Sequence, residues 1–454
     1  MTKANVIYIL ADDMGYGDFG KFNPLIHTPN LDRLVETGCT LANCYAASPV
    51  CAPARAAIMT GRYPQRTGVI DTLEVRGLDR LKLSEITIGD IFKENGYYTG
   101  LVGKWHNGAI DEEYHPNNRG FDEFLGFRGG WNDYFNYNIE RNGVKLACDG
   151  TYLTDVFSRE AVDFVERNAS KPFFLHLAYN CPHFPFMVPE IYLERYLEKG
   201  LPRDTAVIYG MIECMDEGIG RLLDTLDRLN LAENTIVIFS SDNGPDLGQE
   251  SGLKGMNRYN ANLRGYKQLV YEGGIQVPAV IRWPGKIPED IVSDEIVHGT
   301  DWLPTLMNLC DLNCEKQPKF DGIDITKALI GESMPERTLY WQWNRFVPEK
   351  GCNAAIRKGD MKFIHPPVEA YMKLPETETA MDIEIKYHPE KFTQIYAQPI
   401  EERNMNNAPK EELYDLGKDK SEQANLIEEM PKEAANLKRE LYDWFDEVER
   451  ERLS

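Results

Sequence analysis

The sequence is short of positive charge. Against 72 Asp and Glu stand 50 Lys and Arg in 454 residues, a formal net charge of −22. Nucleic acid and anionic membrane surfaces repel such a protein, which excludes both as partners and requires any anionic substrate to meet a local cluster of cations. No apolar run approaches the roughly 20 residues that span a bilayer. The opening MTKANVIYILADDMGYGD lacks the apolar centre and small-residue cleavage site of a secretory leader. Cysteines number nine, odd and without framework spacing, which suits reduced thiols and not a disulfide scaffold. The location expected for the chain as given is cytoplasmic, or periplasmic or secreted if the native beginning lies upstream. Histidine is scarcer, with eight residues, no internal repeat stands out, and the oligomeric state is left open.

What is present in quantity is apolar runs that stop abruptly in polar residues, alternating with segments of helical period. NVIYIL runs into Asp12 and Asp13, YYTGLVG into Lys104 and His106, PFFLHLAYN into Cys181 and His183, and NTIVIFS into Asp242 and Asn243. Four predicted strands thus deliver polar side chains at their C-terminal ends, where open α/β sheets bind ligands. Between them lie predicted helices. One is Thr87 to Asn95, with Thr87 and Asp90 spaced as a capping pair and Gly96 as a stop; another is about Asp204 to Asn230, with an apolar face of Ile208, Met215, Ile219, Leu222 and Leu226. The alternation predicts an α/β fold with a large sheet between helices. Residues 1–335 are expected to form the catalytic domain. Residues 336–454 are expected to form a smaller α+β unit with a few antiparallel strands (TLYWQW, MKFIHP), an insertion without periodicity at about 366–412, and a terminal helix from Pro431 to Arg450.

One short stretch poses a chemical question. SPVCAPARAAIMTG places Cys51 at the start of a predicted helix, with Pro53 in its first turn, Arg55 one turn on and Gly61 as its stop. A buried structural thiol is the commonest fate of a lone cysteine, but it leaves the arginine and proline unexplained. A thiolate nucleophile activated by the helix terminus is a second reading. Cysteine phosphatases, however, carry their arginine six places after the cysteine, not four.

A third reading is a resemblance. CAPAR matches the C-x-P-x-R signature of the type I sulfatases, within the alkaline phosphatase superfamily, and GYYTGLVGKWH resembles their second signature. The likeness continues through ILADDMGYGD, HTPNLDRL, SDNG, LRGYKQLVYEGGIQVP and ELYDLGKDKSEQANL. It implies a sulfatase fold, and conversion of Cys51 to Cα-formylglycine by a maturation enzyme. It also implies a metal held by Asp12, Asp13, Asp242, Asn243 and residue 51. Hard oxygen ligands suit Ca²⁺ or Mg²⁺ and not zinc; the family favours calcium and the residues leave magnesium open. Arg55, Lys104 and Lys267 are implied to surround the sulfate. His183 would assist the leaving alcohol, and His106 would take a proton from a sulfated intermediate formed by the hydrated aldehyde.

The function expected is hydrolysis of a carbohydrate O-sulfate, N-acetylgalactosamine 4- or 6-sulfate or a glycosaminoglycan fragment among the possibilities. A phosphodiesterase or phosphonate monoester hydrolase of the same superfamily is the alternative, and an inactive binding protein a third class. GFDEFLGFRGGWNDYFNY stands where the N-acetylgalactosamine 4-sulfatases carry an aromatic, acidic loop. Trp131, Asp133 and Tyr134 are therefore candidates to contact a sugar, or simply a packed aromatic turn. Asn107, Asn257 and Arg258 are weaker candidates.

Overall fold

The computed structural model describes residues 3–248, 258–316 and 319–454. Ten strands form one mixed sheet: β1 Asn5–Ala11, β2 Cys39–Tyr45, β3 Tyr98–Lys104, β4 Glu123–Phe127, β5 Ile139–Arg141, β6 Val144–Leu146, β7 Phe173–Ala178, β8 Thr235–Ser241, β9 Ala279–Arg282 and β10 Ile291–His298. Their order is β10-β2-β9-β8-β1-β7-β3-β4-β5-β6. The central run β8-β1-β7-β3-β4 is parallel throughout, and antiparallel pairings occur only towards the two sides. β1, β7 and β8 are buried along their whole length, which is why they read as continuous apolar runs and not as alternating ones.

The period-2 geometry of β1 sends its side chains to two separate cores. Ile7 and Ile9 pack with the helices Leu153–Asn168 and Arg203–Arg228 on one face. Val6, Tyr8 and Leu10 pack with Cys51–Thr60, Ile88–Glu94 and Trp302–Leu309 on the other. The predicted helix ends hold closely. Thr87 Oγ1 accepts from Asp90 N at 3.1 Å, and the Asp90 carboxylate accepts from Thr87 N at 2.9 Å, a capping box of the kind worth about 1 kcal/mol. The expected apolar face of the Arg203–Arg228 helix is buried at all five positions.

A second sheet of four antiparallel strands follows: β11 Thr338–Gln342, β12 Ala354–Lys358, β13 Met361–His365 and β14 Glu412–Asp415. One face, with Ile356, Phe363 and Leu413, packs on the terminal helix Pro431–Leu453. The other, with Leu339, Trp341 and Ile364, packs on Tyr45, Val270 and Ile275 of the main body. The stretch 366–412, expected to lack periodicity, contains the helices Glu369–Met372 and Glu376–Tyr387. Its mostly exposed residues show no apolar stripe, so periodicity had nothing to report.

Candidate active site

Because β8, β1, β7 and β3 are adjacent and parallel, their C-terminal ends open on one edge, and the four polar clusters converge there. The chain segments beyond the strands are tied together: Asp12 N donates to Cys181 O at 3.0 Å, Asp242 N to Ala11 O at 3.2 Å, and Asp13 N to Asp242 Oδ1 at 3.2 Å. Asp13 sits at φ 63°, a left-handed conformation that a non-glycine residue holds at a cost and that concentrates at functional sites. Gly103, one residue before Lys104, has φ 112°, and a Cβ there would meet Ala178 O at 1.9 Å. Only glycine lets β3 approach β7 this closely and bring Lys104 to the edge.

The three sequence-named cations meet the acidic pairs. Arg55 Nε and Nη2 each lie 2.8 Å from Asp242 Oδ2, with Nη2 3.6 Å from Asp12 Oδ1. Lys104 Nζ donates to Asp12 Oδ2 at 2.7 Å and Lys267 Nζ to Asp13 Oδ2 at 2.9 Å. All six residues are buried. A chain of net charge −22 therefore builds a compact, water-poor cluster in which cations face carboxylates and an anion can be met without the repulsion of the outer surface.

Cys51 opens the helix Cys51–Thr60, which follows an extended Val50 and ends at Gly61 in the left-handed conformation. Pro53 falls in the first turn, where its missing N–H costs no internal bond. Burial pushes the Cys51 thiol up to about 11, with Lys104 and Lys267 opposing and Asp12 and Asp242 reinforcing. The environment keeps the sulfur protonated, contrary to what a thiolate nucleophile requires.

The two histidines differ. His183 Nε2 accepts from Lys267 Nζ at 3.0 Å while Nδ1 contacts Phe184 O; a carbonyl at Nδ1 and an ammonium at Nε2 fix the neutral Nδ1–H tautomer. His106 Nε2 lies 3.2 Å from Thr72 O and 3.8 Å from Glu74 Oε1, and its buried Nδ1 has no hydrogen-bond partner among the described residues. Burial, then Lys104, holds His106 well below the ordinary imidazole value, so it is a neutral base with a bare nitrogen.

The donor set fits a hard divalent cation. Asp12 Oδ1 and Asn243 Oδ1 are buried acceptors without a hydrogen bond among the described residues. Burial pushes the Asp12 carboxyl well above the usual range, with Asp242 and Asp13 adding to the effect against Lys104 and Arg55; several carboxylates crowded in this way call for positive charge among them. Ligand atoms of Asp12, Asp13 and His183 lie within 4.8 Å of one another.

The sugar-contact candidates fare unevenly. Trp131 is partly exposed, edge-on to Phe184 and Tyr387. Tyr134 is fully buried and its hydroxyl donates to Asn180 O and His183 O at 2.6 and 2.9 Å, so it braces the His183 loop and presents no face to a sugar. Asp133 caps a turn, accepting from Phe135 N and Asn136 N at 2.7 Å. Arg258 is likewise consumed internally: it donates to Asp18 Oδ2 at 2.6 Å, Asp13 O at 2.7 Å and Asp246 O at 3.1 Å, pinning the Asp13 segment. Asn107 is buried behind His106 with Nδ2 on Trp105 O at 3.1 Å. Asn257 lies outside the described residues. Sequence reasoning missed Glu74 and Lys386, which form a buried ion pair beside His106; neither belongs to a recognisable motif, and the fold alone brings them together.

Residues 4–312 match the Sulfatase family pattern. The chain belongs to the sulfatase family. A second pattern, N-sulphoglucosamine sulphohydrolase, C-terminal, matches residues 265–408 and so spans most of the 366–412 stretch. The chain is 32% identical over 367 residues to N-acetylgalactosamine-6-sulfatase of Canis lupus familiaris, covering 74% of this chain and 68% of the relative. It is 30% identical over 434 residues to the uncharacterized sulfatase YdeN of Escherichia coli K12, covering 83% and 75%. The crystal structure of Ps i-CgsB in complex with k-i-k-neocarrahexaose superposes with a TM-score of 0.81 at 30% identity, covering 98% of this chain and 93% of that one. This sulfatase is accordingly a sulfuric ester hydrolase, on a fold that fits the alkaline phosphatase superfamily; calcium and formylglycine are typical of its family.

Proposed function

We propose that this sulfatase removes O-sulfate from a sulfated carbohydrate, N-acetylgalactosamine 4- or 6-sulfate or a glycosaminoglycan fragment among the candidates, with Cys51 matured to Cα-formylglycine by a partner enzyme. One observation carries the reading: Arg55, Lys104 and Lys267 converge on the acidic strand ends, where the thiol of Cys51 is held protonated. The carbohydrate class draws support from the relative named for N-acetylgalactosamine and from the hexasaccharide bound by Ps i-CgsB.

When bound, a divalent cation, Ca²⁺ by family and Mg²⁺ by ligand chemistry also suitable, supplies polarisation of a sulfate oxygen, and the hydrated aldehyde supplies the nucleophile. Asp12, Asp13, Asp242 and Asn243 would hold the cation. Arg55 fixes the Asp242 carboxylate in place, where it would accept the nucleophile's proton. Lys104 and Lys267 set positive charge where the sulfate's oxygens rest. The Lys267–His183 pair holds a proton between Nζ and Nε2 for the departing alcohol oxygen. His106, neutral and with Nδ1 free of hydrogen bonds to the described residues, would take up a proton at that nitrogen during turnover.

Turnover of an aryl sulfate compared with an aryl phosphodiester tests the reaction class. Preference for the sulfate is the expected result; preference for the diester or a phosphonate would transfer the site to the alternative chemistry. Chelation should lower both activity and the melting temperature, because a ligand that binds only the folded chain stabilises it.

A further inference from the structure

A cavity of about 500 Å³ lies outside the cluster just described, within the roughly 300–1,000 Å³ typical of ligand sites. One wall comes from the end of the Glu376–Tyr387 helix and the residues after it, the other from the segment between β4 and β5. It borders the catalytic groups: Glu74 lines it and lies 3.8 Å from His106 Nε2, and Trp131 lines it while packing at 5.8 Å on Phe184, the neighbour of His183. Its floor is apolar, with Ile110 and Ile385 packed together. Among the described residues its lining carries the carboxylates of buried Glu74 and of Asp111, Glu112, Glu140 and Glu390 against three cations, Arg128, Lys145 and Lys386. Arg128 is paired with Glu140 at 3.3 Å, Lys386 with Glu74, and Asp111 with Arg80 beyond the lining, which leaves Glu112 and Glu390 against Lys145 at the mouth.

From this we infer that the cavity receives the uncharged sugar unit adjoining the sulfated one, and that it discriminates against a neighbour bearing its own sulfate or carboxylate. A partly exposed tryptophan beside an apolar floor suits the C–H face of a pyranose. Carboxylates in excess disfavour a second anion in the way that like charges across an interface select against a wrong partner. The cationic cluster at the strand ends and the acidic rim beside it thus divide the substrate into one anionic unit and one neutral unit. The inference rests on the proposed carbohydrate sulfatase activity and names its preferred substrate more narrowly.

The test uses the full-length, matured enzyme and three substrates: one sulfated monosaccharide, the same unit linked to a neutral hexose, and the same unit linked to a uronate. The ratio of kcat/KM for the neutral disaccharide to that for the monosaccharide should be about tenfold, the scale of one aromatic contact, and Trp131→Ala should bring it towards one. Because that variant also removes packing, Glu390→Lys on the exposed rim provides a second reading. It should raise the uronate-to-neutral ratio several-fold without touching the core. Equal turnover of monosaccharide and neutral disaccharide, or a preference for the uronate that Glu390→Lys leaves unchanged, overturns the inference while leaving the sulfatase reading intact. Activity on none of the three alongside turnover of a phosphodiester overturns both.

Discussion

Cys51 is a small side chain at the first turn of a helix, and its replacement by alanine keeps helix propensity and leaves little unfilled volume. Turnover should nevertheless vanish in Cys51→Ala with an unchanged melting temperature, since the aldehyde's source is gone. Wild-type-like activity in that variant would remove formylglycine from the mechanism. Matured protein should show a loss of about 18 Da in the peptide carrying residue 51, the exchange of a thiol for an aldehyde. The leaving-group histidine makes a second prediction at this scale. An alkoxide from a sugar needs a proton, whereas a nitrophenolate departs nearly unaided, so His183→Ala should harm sugar sulfate hydrolysis more than aryl sulfate hydrolysis by much of the roughly 10²- to 10⁴-fold range of general acids. Lys267 Nζ shares its proton with His183 Nε2. Lys267→Ala should therefore show a similar dependence, and the double variant should fall well short of the product of the two single losses. Equal losses on both substrates for His183→Ala would exchange its role with that of His106.

The elements that place these residues were legible where sequence and burial agree. β1, β3, β7 and β8 announce themselves because strands buried on both faces have nowhere to put a polar residue until they end. The short strands β5 and β6, at the side of the sheet, lack that constraint, and so does the Glu376–Tyr387 helix, of which Glu378, Ile385 and Lys386 are buried. Trp131 kept its place as a candidate because a tryptophan is amphipathic in any context. Tyr134 and Arg258 did not, because sequence shows which groups a residue carries but not that its own backbone has already engaged them. A similar hidden engagement caps the helix Pro29–Glu36. Thr28 provides no side-chain cap, and Asp216, from the Arg203–Arg228 helix, accepts from Asn30 N at 3.1 Å and Leu31 N at 2.7 Å. Asp216→Ala should cost about 1–3 kcal/mol in urea denaturation by leaving the buried Leu31 N–H and the half-buried Asn30 N–H unpaired. Burial raises Asp216 to about 6 from 3.8, so the folded chain binds its proton more firmly than the unfolded one in that window. Its contribution to stability is full below the window and is lost as pH rises through it. Denaturation midpoints from pH 4 to 7 should thus show a downward component in the wild type that Asp216→Asn lacks.

On the scale of the whole molecule, the small sheet and the catalytic edge are joined through buried charge. Lys362 on β13 contacts Glu272 Oε1 at 2.7 Å and Glu422 Oε1 at 2.9 Å, and Glu272 Oε2 accepts from the Tyr45 hydroxyl at 2.6 Å. Burial opposes the charge on Glu272, yet Lys362 and Arg357 beside it hold its carboxyl below the ordinary value, whereas burial raises Glu422 to about 7. Two carboxylates thus share one buried ammonium, and Glu272 lies five residues after Lys267 in the segment that delivers Lys267 to Asp13. The proposed division into residues 1–335 and 336–454 is therefore one of architecture and not of independent stability. Removing one partner of a buried ion pair strands the other, at a cost of about 3–5 kcal/mol. Lys362→Met should accordingly destabilise the chain by that amount in chemical denaturation and lower kcat through the displaced Lys267, although position 362 touches no substrate. Pairing it with Glu272→Gln should recover much of the stability, because the stranded charge is gone. A fragment ending at residue 335 deprives Glu272 of its lysine and exposes the apolar surface of Val270 and Ile275, and should fail to give a cooperative thermal transition. A fragment that melts cooperatively with wild-type activity would show instead that the small sheet is an accessory and that Glu272 finds its counter-charge elsewhere.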